Sequence, residues 1–285
     1  GRHQPRRGRT EPLRVGARGW RPGTAARRDP EHLPVETREL TVRFAGHVAV
    51  NAVSCAFQPG TLTAIVGPNG AGKTTYFNLI SGQVKASSGE VLLSGQRLGN
   101  MSVSARTHAG LGRAFQLTNL FPNLSVIENV RLAVQASHDG KHRGGLNLWS
   151  IWSDHKGLIQ RAQEILETVA MADKQYAPVA SLPHGDQRKL EVALLMALDP
   201  LVYMFDEPTA GMSAEEAPVI LNLIRQLKAD KRKTILLVEH KMDVVRELAD
   251  RIIVLHNGLL VADGEPAEVI ASPIVQEAYL GVAPT

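Results

Sequence analysis

The chain has 285 residues, 44% of them hydrophobic and 21% charged, enough apolar material for a sizeable core and far from a disordered or fibrous composition. Its formal net charge of +4 is unevenly placed, because residues 1–34 hold nine Arg against Glu11, Asp29 and Glu31, a net of +6 that leaves −2 for the rest. The basic balance therefore gives the folded part no reason to bind nucleic acid, and the longest apolar run, Val192 to Leu198, stops far short of the ~18 residues of a membrane span.

In chain order, residues 1–34 are rich in Arg, Gly and Pro with no hydrophobic period and no apolar centre of a secretory signal. They are expected to be a disordered extension ahead of a domain over 35–285. From Glu36 the pattern changes. "ELTVRF" and "VNAVSCAF" are β-rich and alternating, and the single cysteine, Cys55, lies in the second as a small buried hydrophobe. One cysteine excludes an internal disulfide and points to a reducing compartment.

"TLTAIVG" is a short apolar run leading straight into "GPNGAGKTT". Residues 67–74 fit G-x-x-x-x-G-K-[ST] between a predicted strand and a predicted helix, which is the context that a phosphate-binding loop requires. Gly67, Gly70 and Gly72 allow positive φ, and with Pro68, Asn69 and Ala71 they let backbone N–H groups close around a phosphate. Lys73 is placed for the β- and γ-phosphates, the Thr74 hydroxyl for Mg²⁺, and the helix carrying Thr74 and Thr75 adds its positive end.

Further on, Ser125 and Glu128 form a capping box ahead of "VIENVRLAVQA", and "LIQRAQEILETVAM" sets Leu158, Ala162, Ile165, Leu166 and Val169 on one helical face. Between them "DGKHRGGLNLWSIW" reads as a loop carrying Trp149 and Trp152 to a membrane-side or subdomain contact. "SLPHGDQRKLE" begins like a phosphate-binding turn and ends as an amphipathic helix. "LVYMFDEP" is an apolar strand ending in Asp206 and Glu207, a carboxylate pair suited to hold Mg²⁺ and to take a proton from water. Ser213 and Glu216 make a second capping box, and "TILLVEHKMD" is another apolar strand, followed by His240.

Taken in order, these motifs resemble one family, the nucleotide-binding subunits of ABC transporters, over roughly residues 36 to 282. The resemblance implies an α/β P-loop ATPase core with a mixed sheet, an N-terminal antiparallel β subdomain and an inserted helical subdomain at about 117–190. It implies ATP and Mg²⁺ as ligands, with Phe44 stacking on adenine and Gln116 of "RAFQ" sensing Mg²⁺ and the membrane partner. In that reading Thr74, Gln116 and Asp206 surround the metal, Glu207 is the base, and Lys73 and His240 hold the γ-phosphate.

The family's signature, L-S-G-G-Q, completes the ATP site of the opposite subunit; here its positions read Leu182, Pro183, His184, Gly185 and Asp186. Gly185 keeps close backbone approach, Pro183 lacks both the hydroxyl and an N–H, His184 is a candidate substitute, and Asp186 is expected to face away from phosphate. "LFPNLSVIENV", the insertion before the signature, "AGM" and the closing "VIASPIVQEAYLG" resemble the ATPases of bacterial branched-chain amino acid and related urea or amide importers. That implies transmembrane permease subunits and a second ABC ATPase, a different chain by preference, at the cytoplasmic face of the inner membrane. Membrane contact would come only through the permease. A soluble ABC ATPase would ordinarily bring two cassettes or a long coiled coil, and a regulatory protein with a dead site would be expected to lose Lys73 or Glu207; this chain shows neither departure.

Overall fold

The computed structural model describes residues 35–114, 120–141 and 155–280. Gln116, Trp149, Trp152 and the head over 1–34 lie outside the described residues. Two sheets organise the rest. Strands β1 (Val35–Phe44), β2 (His47–Phe57), β4 (Ser88–Leu93) and β5 (Gln96–Arg97) form an antiparallel sheet in the order β2-β1-β4-β5. The second sheet runs β10-β9-β3-β8-β7-β6, built from β3 (Leu62–Val66), β6 (Leu111–Arg113), β7 (Val202–Asp206), β8 (Thr234–Val238), β9 (Arg251–His256) and β10 (Leu259–Gly264). Its pairings are parallel except for the β9–β10 hairpin at one edge, so the sheet is mixed as expected.

The central strands β3, β8 and β7 are mostly apolar because both faces are covered. In β8, Ile235 and Leu237 enter one core and Leu236 and Val238 the other; β7 divides Tyr203 and Phe205 from Val202 and Met204 in the same way. The second of these cores joins the antiparallel sheet to α1 (Lys73–Ser81), with Phe57, Tyr76 and Phe77 at its centre. Cys55 is buried there, as its strand position implies.

The first core carries the helices. It gathers α3 (Val126–Lys141), α4 (His155–Thr168), α5 (His184–Leu198) and α6 (Ala217–Ala229) through Val130, Ala162, Ile165, Leu166, Leu190 and Leu223. Both capping boxes form. Glu128 Oε2 accepts from the Ser125 N–H at 3.0 Å and Glu216 Oε2 from the Ser213 N–H at 3.1 Å. A third, smaller core seats α7 (Met242–Leu248), α8 (Pro266–Ala271) and α9 (Pro273–Leu280) against β3 and β9.

The far end of α1 is fastened by α2 (Val103–His108). Arg106 of α2 is buried and donates through Nη1 to the Leu79 and Ile80 carbonyls at 2.9 and 2.7 Å, and through Nη2 to Gly99 O at 3.1 Å. The Leu79 and Ile80 carbonyls belong to the last turn of α1, where a helix leaves acceptors unfilled, and a cation is a good donor for them. Gly82 ends the helix at φ 84°, and a Cβ there would stand 2.6 Å from Arg106 Nε. Arg106→Ala is expected to destabilise the protein by about 3 kcal/mol, since charge-assisted bonds are lost and carbonyls are left buried. Urea unfolding measures this, and a loss below about 1 kcal/mol would mean that water satisfies those carbonyls instead.

Candidate functional site

The site assembles where β3, β7 and β8 end side by side. Ile65 is level with Val238 and Val238 with Asp206, so the segments leaving these strands emerge along one edge of the sheet. After β3 the chain turns through Gly67, Gly70 and Gly72 at φ 151°, 79° and 97° and enters α1 at Lys73. Two of these glycines are also pressed by backbone: a Cβ on Gly67 would lie 2.2 Å from Leu255 O, and one on Gly72 2.5 Å from Ala49 O. The Gly258 N–H, in the β9–β10 turn, donates to Ala71 O at 3.0 Å and holds the loop from its other side.

Lys73 is buried, and its Nζ donates to Gly67 O at 2.7 Å and Pro68 O at 2.9 Å. Both partners are neutral, so the ammonium's charge is left for an anion. Burial lowers its pKa, and the nearby Glu207 and Asp206 carboxylates oppose that shift. Thr74 is exposed in the first turn of α1, one residue beyond. A ring of N–H groups at positive φ, a helix start, a lysine and hard oxygen donors from a threonine and a carboxylate fit a nucleoside triphosphate with Mg²⁺.

Asp206 ends β7, and its side chain is 16% exposed. Burial pushes its pKa up, against the Arg113 guanidinium, whose Nη2 donates to Oδ2 at 2.8 Å. Glu207 follows at φ 49°, a left-handed backbone that a non-glycine residue adopts at a cost; its N–H donates to Val238 O at 2.9 Å. That turn sends the carboxylate outward, where Glu207 Oε1 meets His240 Nε2 at 2.6 Å. His240 is set in turn by Glu239, which is 3% exposed and accepts the His240 and Lys241 N–H groups at 2.9 and 3.1 Å. Thr209 Oγ1, 3.4 Å from Glu239 Oε2, joins this to the turn after β7.

Phe44 sits at the tip of β1 with 47% exposure, so it is not part of the core. Pro68, Asn69, Ala71 and Thr75 lie in the turn and first helical turn as expected. The altered signature starts α5: Pro183 is the N-cap and contributes no capping bond, and His184 is exposed, its Nε2 3.7 Å from where a Cβ on Gly211 would be. Gly185 is covered by Glu216, whose Oε1 would be 2.0 Å from a Cβ there.

Asp186 is buried. It bonds Lys174, and Lys189 Nζ at 3.1 Å. Three residues escaped the sequence reading. They are Arg113, three positions before Gln116, Glu239, next to His240, and Lys174, to none of which the motifs assign a role. For Arg113 and Glu239 the signal available was a charge adjoining a motif residue inside an otherwise apolar segment.

A family model described as ABC transporter matches residues 50–210. The chain belongs to that family. A second family model, described as branched-chain amino acid ATP-binding cassette transporter, matches residues 260–284. The chain is 37% identical over 245 residues to the high-affinity branched-chain amino acid transport ATP-binding protein LivG of Escherichia coli, covering 86% of this chain and 96% of that one. It is 32% identical over 250 residues to BraF of Pseudomonas aeruginosa, likewise a high-affinity branched-chain amino acid transport ATP-binding protein, covering 87% and 98%. Among solved structures, the ADP conformation of an ATP-binding cassette of an ABC transporter superposes with a TM-score of 0.72 at 28% identity, covering 87% of this chain and 98% of that one. A dimeric post-hydrolysis cassette bound to ADP and Pi gives 0.68 at 25% identity, covering 81% and 98%. An ABC cassette works with transmembrane permease subunits, and among the described residues no helix is long and apolar enough to cross a membrane.

The Asp186 cluster makes a pH prediction. Burial raises its pKa, but the bonds from Lys174 and Lys189 outweigh this and hold the carboxyl below the ordinary 3.8. A depressed folded value means stability that is present above the unfolded value and lost as pH falls through the folded one. Asp186→Asn should therefore be less stable than wild type at pH 7, with the gap closing below about pH 4 in urea titrations. A gap independent of pH would assign the loss to packing.

Proposed function

We propose that this chain is the ATP-hydrolysing subunit of an importer that takes up branched-chain amino acids. The observation that carries the hydrolytic reading is the contact of Glu207 with His240 at the strand ends facing the Lys73 loop. Residues 67–75 receive the phosphates, and Phe44, exposed at the strand tip, stacks on adenine. Lys73 exchanges its two carbonyl partners for phosphate oxygens. Thr74, Asp206 and Gln116 are the residues that would hold Mg²⁺, which when bound would supply neutralisation of the phosphate charge. Glu207 accepts a proton from water as the water oxygen bonds to the γ-phosphorus; the bond to the bridging oxygen breaks, and ADP and phosphate leave. His240 orients Glu207 before closure and reaches the γ-phosphate after it.

Several features support the wider setting. The helices over about 117–190, packed in one apolar core, suit an inserted subdomain that meets the permease. The names of the relatives and the match at 260–284 favour branched-chain amino acids over urea or short amides as the solute. With its nucleotide shared between two chains, the subunit would sit on the cytoplasmic face of the bacterial inner membrane, held there by its permease. The altered signature favours a different ATPase chain as its partner, because a weakened contact is easier to carry on one side of a pair.

In the assembled transporter, Glu207→Gln is expected to keep ATP binding and lower turnover by at least about 10²-fold. Hydrolysis within a fewfold of wild type would remove Glu207 from the role of base. Leucine-loaded binding protein should stimulate the wild-type ATPase where a urea- or amide-loaded one does not; the reverse would transfer the solute to the amides. Pro183→Ser supplies the missing hydroxyl, and a bond to a charged group is worth about 1.5–3 kcal/mol, so nucleotide at the partner's site should bind roughly ten- to a hundredfold more tightly. Unchanged occupancy and rate would show that His184 or the Gly185 backbone already makes that contact.

A further inference from the structure

Between the Asp206 carboxylate and α1 lies a buried guanidinium to which none of the motifs gives a task. Arg113 ends β6, and its side chain is 6% exposed. It spreads three ways. Nη2 donates to Asp206 Oδ2 at 2.8 Å. Nη1 is shared among Asn78 Oδ1 at 2.7 Å, Ser81 Oγ at 3.0 Å and Gln83 Oε1 at 3.0 Å. The flat face of the group lies 4.7 Å over the centre of the Phe77 ring.

Burying a guanidinium is expensive, and a single surface carboxylate would not require it. What the fan accomplishes is geometric. Asn78 stands four residues after Thr74, on the same face of α1 and about one turn, ~5.4 Å, further along. Arg113 therefore spans from the Thr74 face of α1 to the end of β7. Its bond engages Oδ2 of Asp206 and restrains the carboxylate, and the bond to Arg113 leaves Oδ1 untouched. Mg²⁺ accepts only near-ideal octahedral oxygen positions at about 2.0–2.1 Å, so two ligands on separate elements must be held at a fixed separation. A lysine could match the charge but not this planar fan.

We infer that Arg113 is the positioning residue that sets the Asp206 carboxylate and the Thr74 face of α1 at the separation a divalent cation needs. The inference rests on the reading of Thr74 and Asp206 as Mg²⁺ ligands. Supporting groups of this kind typically change metal affinity by 10- to 100-fold when removed.

The experiment uses the full chain with two probes. A fluorescent ATP analogue is titrated in EDTA to report the phosphate loop alone, and Mn²⁺ is titrated against the protein–ATP complex by electron paramagnetic resonance to report the metal. Arg113→Met keeps the stack on Phe77 and removes the fan; Arg113→Lys keeps the charge and cannot reach Asp206 and α1 together. Both are expected to weaken Mn²⁺ binding by about 10- to 100-fold while metal-free nucleotide affinity stays within about twofold. If the Met variant does not fold, the Lys variant decides alone. Wild-type metal affinity in Arg113→Lys, or tighter metal binding in Arg113→Met, would overturn the proposal, the latter by making Arg113 a competitor of the metal. Equal losses of metal-free and metal-bound affinity would also overturn it, as damage to α1 in general. Asp206→Asn is run alongside. If it binds Mn²⁺ like wild type, the reading of Asp206 falls; if it loses the metal and Arg113→Lys does not, only the role of Arg113 falls.

Discussion

The parallel alignment of β3, β8 and β7 is the constraint on which the rest of the structure depends. Backbone hydrogen bonds hold Ile65, Val238 and Asp206 in one row, although these residues are far apart in the chain. Whatever follows each strand must then emerge at the same edge: the glycine turn after β3, Glu207 after β7, His240 after β8. A slip of one residue in any of these ladders would turn its apolar side chains to the opposite layer, exchanging Ile235 and Leu237 with Leu236 and Val238. Core packing thus enforces the register, and the register delivers the chemistry.

Onto that row are built local devices that spend stability on geometry. Glu207 has a left-handed backbone, and Gly67 and Gly72 are pressed against the carbonyls of Leu255 and Ala49. Two buried charges are paired rather than removed, although the Nε of Arg113 has no hydrogen-bond partner among the described residues. Glu239 gives its oxygens to the N–H groups around His240, and Arg113 divides its donors between Asp206 and α1. Each of these groups would be costly if left without a partner, so each restricts the motion of what it touches. The nucleotide site is consequently rigid on the side built from the sheet.

The altered signature at the start of α5 is made differently. Its first turn is tied by Asp186 to Lys174 and Lys189, its Gly185 lies under Glu216, and His184 stands beside Gly211. These contacts link the signature to the turn and capping box that precede α6. Closure of a dimer about this surface would move both together, because they share side-chain contacts within one chain.

Periodicity and motif spacing were enough to read β1, β2, β3, β7 and β8, the apolar face of α4, both capping boxes and the phosphate loop, since these show in patterns within a few residues; β4, β5, β6, β9 and β10 were not read this way. The departures of Pro183 and Asp186 from the family signature were equally visible, but the two lysine partners of Asp186 were not. What sequence could not supply is the partner of a buried charge: Arg113 reads as one more polar residue at a strand end until β6 is laid beside β7 and α1 is packed over both. The same holds for Glu239, and for the meeting of Glu207 with His240, 33 residues apart. Short-range propensity and spacing determined the elements and the phosphate-binding loop. Which charges face one another was decided only by the tertiary packing, because a pairing between distant residues depends on strand order and layer thickness, and neither is written in any local window of the chain.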